Sequence, residues 1–224
     1  MKLKIFLTIA FVLLSTFAGQ AQDNPKLEPA KTPQAKLTAK DYEDLLARLK
    51  GGDTKIDFTA LRMAFTETKD YSYDGPEKAE KEKFLKPFND KNYKEALKQA
   101  EKFLEKNYVE ANAHYVAYNS AKELKDDKKA EFHKTILLGL LNSIQNGNDG
   151  LSAKTPFSVI TIDEEYTILR FLGYQFGGSQ SLQHTDGHTF DVLTAKNTKT
   201  NQEAKLYFNI DVVWAAETKI FGGK

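Results

Sequence analysis

Apolar positions recur at helical spacing from Thr38 to about Asn146, and at strand spacing beyond Gly150. Tyr42, Leu45, Leu46 and Leu49 follow the i, i+3, i+4, i+7 stripe, which predicts a helix capped by Thr38 and stopped by Gly51. Asp57 can cap a short second helix bearing Phe58, Leu61, Arg62 and Phe65. Pro76 suits the first position of a charged third helix, which should end near Pro87. Three more stripes follow. The first is Tyr93, Ala96, Leu97, Ala100, Phe103 and Leu104, and the second is Ala111, His114, Tyr115, Tyr118, Ala121 and Leu124. The third, which Asp126-Asp127 can cap, is Ala130, His133, Ile136, Leu137, Leu140, Leu141 and Ile144, closed by Gly147.

Past Gly150 the period shortens. Phe157–Ile162 reads as a β-branched strand, and Asp163 can cap a helix ending at Gly173. Ser179–His184 and His188–Ala195 read as a hairpin around a three-residue loop, Thr185-Asp186-Gly187. A turn over Asn197–Asn201 leads to a last strand, Ala204–Ile210. Phe190 and Val192 share a face, as do Leu206, Phe208 and Ile210 on the neighbouring strand. Val212–Phe221 reads as a closing helix with Trp214, the only tryptophan, packed into the junction between layers. The fold class is therefore α+β: an N-terminal helical bundle packed on a small C-terminal antiparallel sheet.

The N-terminus has a different pattern. Lys2 and Lys4 precede an apolar run, Ile5–Phe17, and Gly19-Gln20-Ala21 offers small residues at a cleavage site. Residues 1–21 therefore read as a secretory signal peptide. Residues 22–37, with Pro25, Pro29 and Pro33, read as a flexible linker. Residues 38–148 form the helical layer and 149–224 a small α+β layer, both in one compact domain. The chain contains no cysteine, so neither a disulfide nor a lipidated cysteine is available to the expected periplasmic or secreted product. The formal charge falls from +1 to −1 once Lys2 and Lys4, the only charges in the signal, are lost. A chain without basic excess lacks the footprint of a nucleic-acid binder, and no remaining run is long enough to span a bilayer.

Residues 90–124 resemble tetratricopeptide repeats. Asp90-Lys91-Asn92-Tyr93 and Asp126-Asp127-Lys128-Lys129 lie about one repeat apart, with small residues at Ala96, Ala100, Ala117 and Ala121. That resemblance implies a concave peptide-binding face carrying Tyr115 and Tyr118; the other reading is a helical bundle without a groove.

A second resemblance covers about Asp53 to about Asp211. It rests on Asp57-Phe58 with Leu61-Arg62 and Tyr71, Asp149-Gly150, Ile162-Asp163-Glu164-Glu165-Tyr166 with Leu169, Gln180 with Leu182, Phe190-Asp191-Val192, and Leu206-Tyr207-Phe208-Asn209-Ile210-Asp211. In order along the chain, these are similar to a family of exported bacterial proteins catalogued as a domain of unknown function (family 4919). The resemblance implies secretion and a helices-then-sheet layout. It carries no activity.

Candidate chemistry is sparse. His184 and His188 flank the hairpin loop near Asp186 and Asp191, as a divalent metal accepts, or as a polar hairpin tip presents. His114 and His133 lie on apolar faces and read as core histidines. Glu164, Glu165 and Tyr166 open a helix, where acidic residues answer the helix dipole or serve as acid/base or ligand carboxylates. Asp191, Asn209 and Asp211 could share a sheet face with Tyr207 and bind a polar ligand. There is no nucleophile motif and no phosphate-binding glycine loop, and no cofactor is expected. Two functions fit. One is a non-enzymatic binding or interaction protein for a peptide, a protein or an envelope component. The other is a hydrolase of an envelope polymer using Glu164, Glu165, Asp191 or Asp211, with carboxylates about 5–9 Å apart.

Overall fold

A computed structural model describes residues 36–221. The expected signal peptide and nearly all of the linker lie outside them. Six helices come first: α1 (Ala39–Lys50), α2 (Phe58–Phe65), α3 (Lys78–Asn89), α4 (Tyr93–Leu104), α5 (Ala111–Glu123) and α6 (Asp127–Gln145). They are followed by β1 (Phe157–Ser158), α7 (Ile162–Phe171), β2 (Tyr174–Thr185), β3 (His188–Asn197), β4 (Glu203–Asn209) and α8 (Asp211–Phe221). The protein is α+β, as its periodicity predicts.

Most helix starts are set by local hydrogen bonds. Thr38 and Asp41 form a reciprocal capping box on α1. The side chains of Asp57, Asn92 and Asp126 accept from the first turns of α2, α4 and α6. α6 ends where Asn146 (φ 49°) and Gly147 (φ 76°) turn left-handed. The third helix differs from expectation at both ends. Glu77 remains extended (ψ 143°), so α3 begins at Lys78 instead of Pro76. Pro87 lies inside its last turn, which still closes through Asp90 N–H to the Lys86 carbonyl at 2.9 Å. Proline this close to a helix end forfeits one bond without ending the turn.

The helical core includes Leu49, Phe65, Phe84, Leu104, Val116, Ile136 and Leu140. Ala96, Ala100, Ala117 and Ala121 are fully buried, which lets α4 and α5 pack closely. Gly139 has a similar role on α6: a Cβ there would fall 2.4 Å from the Phe58 ring. A second cluster joins Ile144, Phe157, Ile168, Leu169, Leu193, Leu206, Phe208 and Val213 between sheet and helices.

The sheet corrects the expectation in three respects. Its order is β1-β4-β3-β2, with β2–β3 and β3–β4 antiparallel but β1 parallel to β4, so it is mixed. β1 is only two residues long, because side chains take the backbone groups that a longer strand would pair. Arg62 donates to the Ser158 carbonyl at 2.9 Å, Glu164 accepts from Ile160 N–H at 2.8 Å, and Tyr71 donates to the Ile160 carbonyl at 2.7 Å. The β2–β3 loop has two residues, not three: Thr185 pairs with His188, and Asp186 (φ 52°) and Gly187 (φ 79°) make a type I′ turn.

Two further corrections concern α7 and α8. Thr161, not Asp163, caps α7; Asp163 pairs instead with Lys81. α8 forms as expected, but it buries Val213 and leaves Trp214 40% exposed, its ring edge-on to His184 at 5.5 Å. Neighbouring helical positions point about 100° apart, so the two residues cannot both face the core. Among the described residues no helix is long and apolar enough to cross a membrane.

Candidate functional site

Opposite residues on paired strands share a face, so the register divides the expected sheet-face set. Asp191 pairs with Phe208 and Leu193 with Leu206, and these face α7. Tyr207 pairs with Val192 and Asn209 with Phe190, which puts Tyr207 and Asn209 on the other face from Asp191. Asp211 begins α8 and accepts from Thr189 N–H at 2.7 Å, Asn209 Nδ2 at 3.1 Å and the His188 ring at 2.5 Å. Partial burial opposes ionisation of Asp211, but these hydrogen bonds outweigh it and hold its carboxyl below the usual range.

The acidic opening of α7 sends its members in different directions. Glu164 forms a buried ion pair with Arg62, which is 1% exposed, through contacts of 2.5 and 3.0 Å. Arg62 also donates to Ser143 Oγ at 3.2 Å. Together Arg62, Glu164 and Tyr71 hold the backbone from Ser158 to Ile160, so Glu164 is a strut between α2 and the end of β1. Glu165, one residue on, points with Ile168 and Leu169 into the sheet interface and is fully buried. Neither of its carboxylate oxygens has a hydrogen-bond partner among the described residues, and Asp191 Oδ1 has none either. Burial, reinforced by the Asp191 charge, pushes Glu165 up to about 9, and burial raises Asp191 as well. At neutral pH Glu165 is therefore a carboxylic acid beside Asp191.

Gln180 connects this pair to the surface. Its amide donates to Asp191 Oδ2, and its carbonyl accepts from the Tyr166 hydroxyl at 3.4 Å. Leu182 pairs with Asp191 in register and so lies on the same face. Tyr166, Phe176 and Leu182 stand near them, and Trp214 stands further along the strand against His184; the four are between 38% and 46% exposed. Tyr166 meets Phe176 edge-on at 5.9 Å. The structure thus brings Tyr166 and Asp191 together through Gln180, with Glu165 buried close by, and adds Leu182 and Phe176. Gln180 and Leu182 stand in the family-like motif, so that motif was the signal available for them.

The remaining candidates lie elsewhere. His184 pairs in register with Thr189 and contacts its hydroxyl at 3.2 Å, whereas His188 lies on the other face with Asp211. Among the described residues no three His, Cys, Asp or Glu side chains form a metal-binding group. Tyr115 sits edge-on between Phe88 (5.9 Å) and Phe171 (5.6 Å), an aromatic seam joining α3, α5 and α7. Tyr118 is half-buried against the helical core.

Two buried polar groups were not foreseen as units. Asn112 donates to Glu110 at 2.7 Å and to Thr167 at 3.0 Å and accepts from Arg170, which ties α5 to α7. Burial pushes Glu110 up to about 7. His114 and His133 are both buried, as expected of core histidines, with Nδ1 atoms 3.0 Å apart, and His114 Nε2 lies 3.0 Å from the Tyr108 carbonyl. A carbonyl only accepts, so His114 carries its proton on Nε2 and accepts on Nδ1 from His133. Burial pushes the two rings down to about 3 and about 4.

Fold and site together define an α+β protein in which helices cover one face of a mixed sheet and close over an internal acid pair. Residues 33–219 match the family model described as Domain of unknown function (DUF4919), and the chain belongs to that family. No curated protein matches the chain. No solved structure matches it.

Proposed function

We propose that this is an exported, non-enzymatic binding protein of the bacterial cell envelope, periplasmic or secreted. It would engage a peptide, protein or envelope component at the sheet face bordered by Tyr166, Phe176, Leu182 and Trp214. One observation carries the reading: four large, mainly apolar side chains stand at least 38% exposed along one face of β2, with Tyr166 edge-on to Phe176 at one end, Trp214 edge-on to His184 at the other, and a polar anchor made by Gln180 and Asp191 between them. Apolar side chains around a few directed polar groups are the usual composition of a binding site. The basic, apolar and small-residue pattern of residues 1–21 supports export.

The hydrolase reading rests on the Glu165–Asp191 pair, whose raised carboxyl has the character of a general acid. Glu165 is fully covered, however, and a catalytic acid must reach its substrate, so binding is the better-supported reading. Trp214 gives the test. Tryptophan-free peptides and soluble peptidoglycan fragments are titrated into the protein while the emission of its single indole is followed. The expected result is a saturable shift lost in Tyr166→Ala and retained in Tyr115→Ala. No response to any probe, or equal responses in both variants, would overturn the site. Turnover of a fragment that Glu165→Gln abolishes would favour the hydrolase.

A further inference from the structure

We propose that two copies of this chain pair antiparallel through the free edge of β2, centred on Leu182, and merge their sheets. β2 is the last strand in the order β1-β4-β3-β2, and it is exposed from Gln175 to Thr185. Its unpaired backbone groups have a definite direction. The two-residue I′ turn makes Thr185 and His188 the doubly hydrogen-bonded pair that closes the hairpin. Alternation then aims the N–H and C=O of Gln183 and Ser181 at β3, and those of Gln180, Leu182 and His184 away from it.

This edge lacks the usual guards. Tyr174–Thr185 contains no Asp, Glu, Lys, Arg or Pro, although 28% of the chain is charged. Exposed edges are normally blunted by such residues or by bulges. The register shift between Phe176 and Gln180 is one bulge, but it ends before the straight run Gln180–Thr185.

The run is complementary to itself. A two-fold axis at Leu182 sets Leu182 against Leu182 and Gln180 of one copy against His184 of the other. No like charges then meet across the seam. Three outward-facing residues per copy would form about six main-chain hydrogen bonds. The same register lays the Asp186-Gly187 tip of each copy along Gly177-Gly178 of the other. Gly178 has no atom within 4 Å of where a Cβ would stand, so the tip has room. Trp214, beside His184, would come against the Tyr166–Phe176 end of the opposite copy, covering apolar rings that the single chain leaves exposed.

Sedimentation velocity on the purified protein, diluted from about 200 μM downward, tests the pairing by mass action. The expected result is a doubled mass at high concentration. Leu182→Pro removes an outward N–H without breaking a β2–β3 bond, and Leu182→Lys opposes two charges at the axis. Both should sediment as monomers, with the circular dichroism and melting that wild type shows in dilute solution. Gln183→Lys, whose side chain is on the other face, should still dimerise. A wild-type monomer at every concentration would overturn the proposal. So would a dimer unaffected by both Leu182 variants. A monomer that takes up an added extended peptide, and loses it in Leu182→Pro, would overturn it in favour of a foreign strand. Mass at high concentration reads this pairing, and Trp214 emission of the wild-type protein diluted to the monomer reads ligand binding, so the two readings fail separately.

Discussion

Glu165 and Asp191 are buried between α7 and the sheet, close enough for the Asp191 charge to raise Glu165, with three of their four carboxylate oxygens unpartnered among the described residues. An unpartnered buried carboxylate is costly, and a second one beside it adds repulsion, so the pair keeps a proton.

This has a consequence for stability against pH. Glu165 is raised from 4.5 to about 9 in the folded protein, so the folded state keeps a proton that the unfolded chain releases. Its contribution is fully present below about 4.5 and is lost as pH rises toward 9. Glu165→Gln removes this titration. Urea unfolding should show a flatter dependence on pH in that range, with the variant more stable than wild type by about 1 kcal/mol or more at alkaline pH. Parallel pH profiles for the two proteins would refute the buried acid.

The two core histidines titrate in the opposite sense. His114 and His133 are lowered from 6.5 to about 3 and about 4, so their contribution is present above 6.5 and is lost as pH falls toward those values. Ring proton shifts followed by NMR should show both neutral in the folded protein at pH 5. Titration of either near 6.5 would contradict the His–His hydrogen bond.

Breaking the Arg62–Glu164 pair should be expensive. Arg62→Ala strands Glu164 and frees the Ser158 carbonyl and Ser143, for a loss of about 3–5 kcal/mol in urea midpoint terms. The Arg62→Ala/Glu164→Ala double variant should lose less than the sum of the single ones. Strict additivity would show that the two side chains do not interact.

Gly139→Ala places a methyl group 2.4 Å from the Phe58 ring and should cost about 1–3 kcal/mol. Adding Phe58→Leu should recover part of that loss. Thermal melts of the three proteins check it, and a neutral Gly139→Ala would mean that α2 moves away freely.

Trp214 should behave as a half-exposed ring. Trp214→Ala should cost about 1 kcal/mol, as substitutions outside the core do. Val213→Ala should cost more, since Val213 is 2% exposed. In dilute protein the indole should emit toward the red and be quenched readily by acrylamide; a blue, shielded indole would place it inside.

Most helix boundaries were legible because their causes are local. Thr38, Asp57 and Asp126 each accept from a backbone N–H three residues ahead, and the inward stripes of α1 and α4 repeat within one or two turns. The site was legible in part. Glu165, Tyr166 and Asp191 were candidates, but so was Glu164, whose neutralising partner Arg62 stands 102 residues away. Nothing near Glu164 distinguishes it from Glu165, because that difference comes from which side of α7 each one occupies.

By itself the sequence determined the α+β class, the helices from α4 to α6, the hairpin over Asp186-Gly187 and the family to which the chain belongs. These follow from periodicity, capping and turn chemistry, which act over a few neighbouring residues. Tertiary structure alone decided the parallel pairing of β1 with β4, the placement of Asp191 apart from Tyr207 and Asn209, and the exposure of Trp214. The physical reason is common to all three. A strand's partner, the parity of its register and the side of a helix that is covered depend on groups distant in the chain. A shift of one residue in register would exchange the two faces of the sheet.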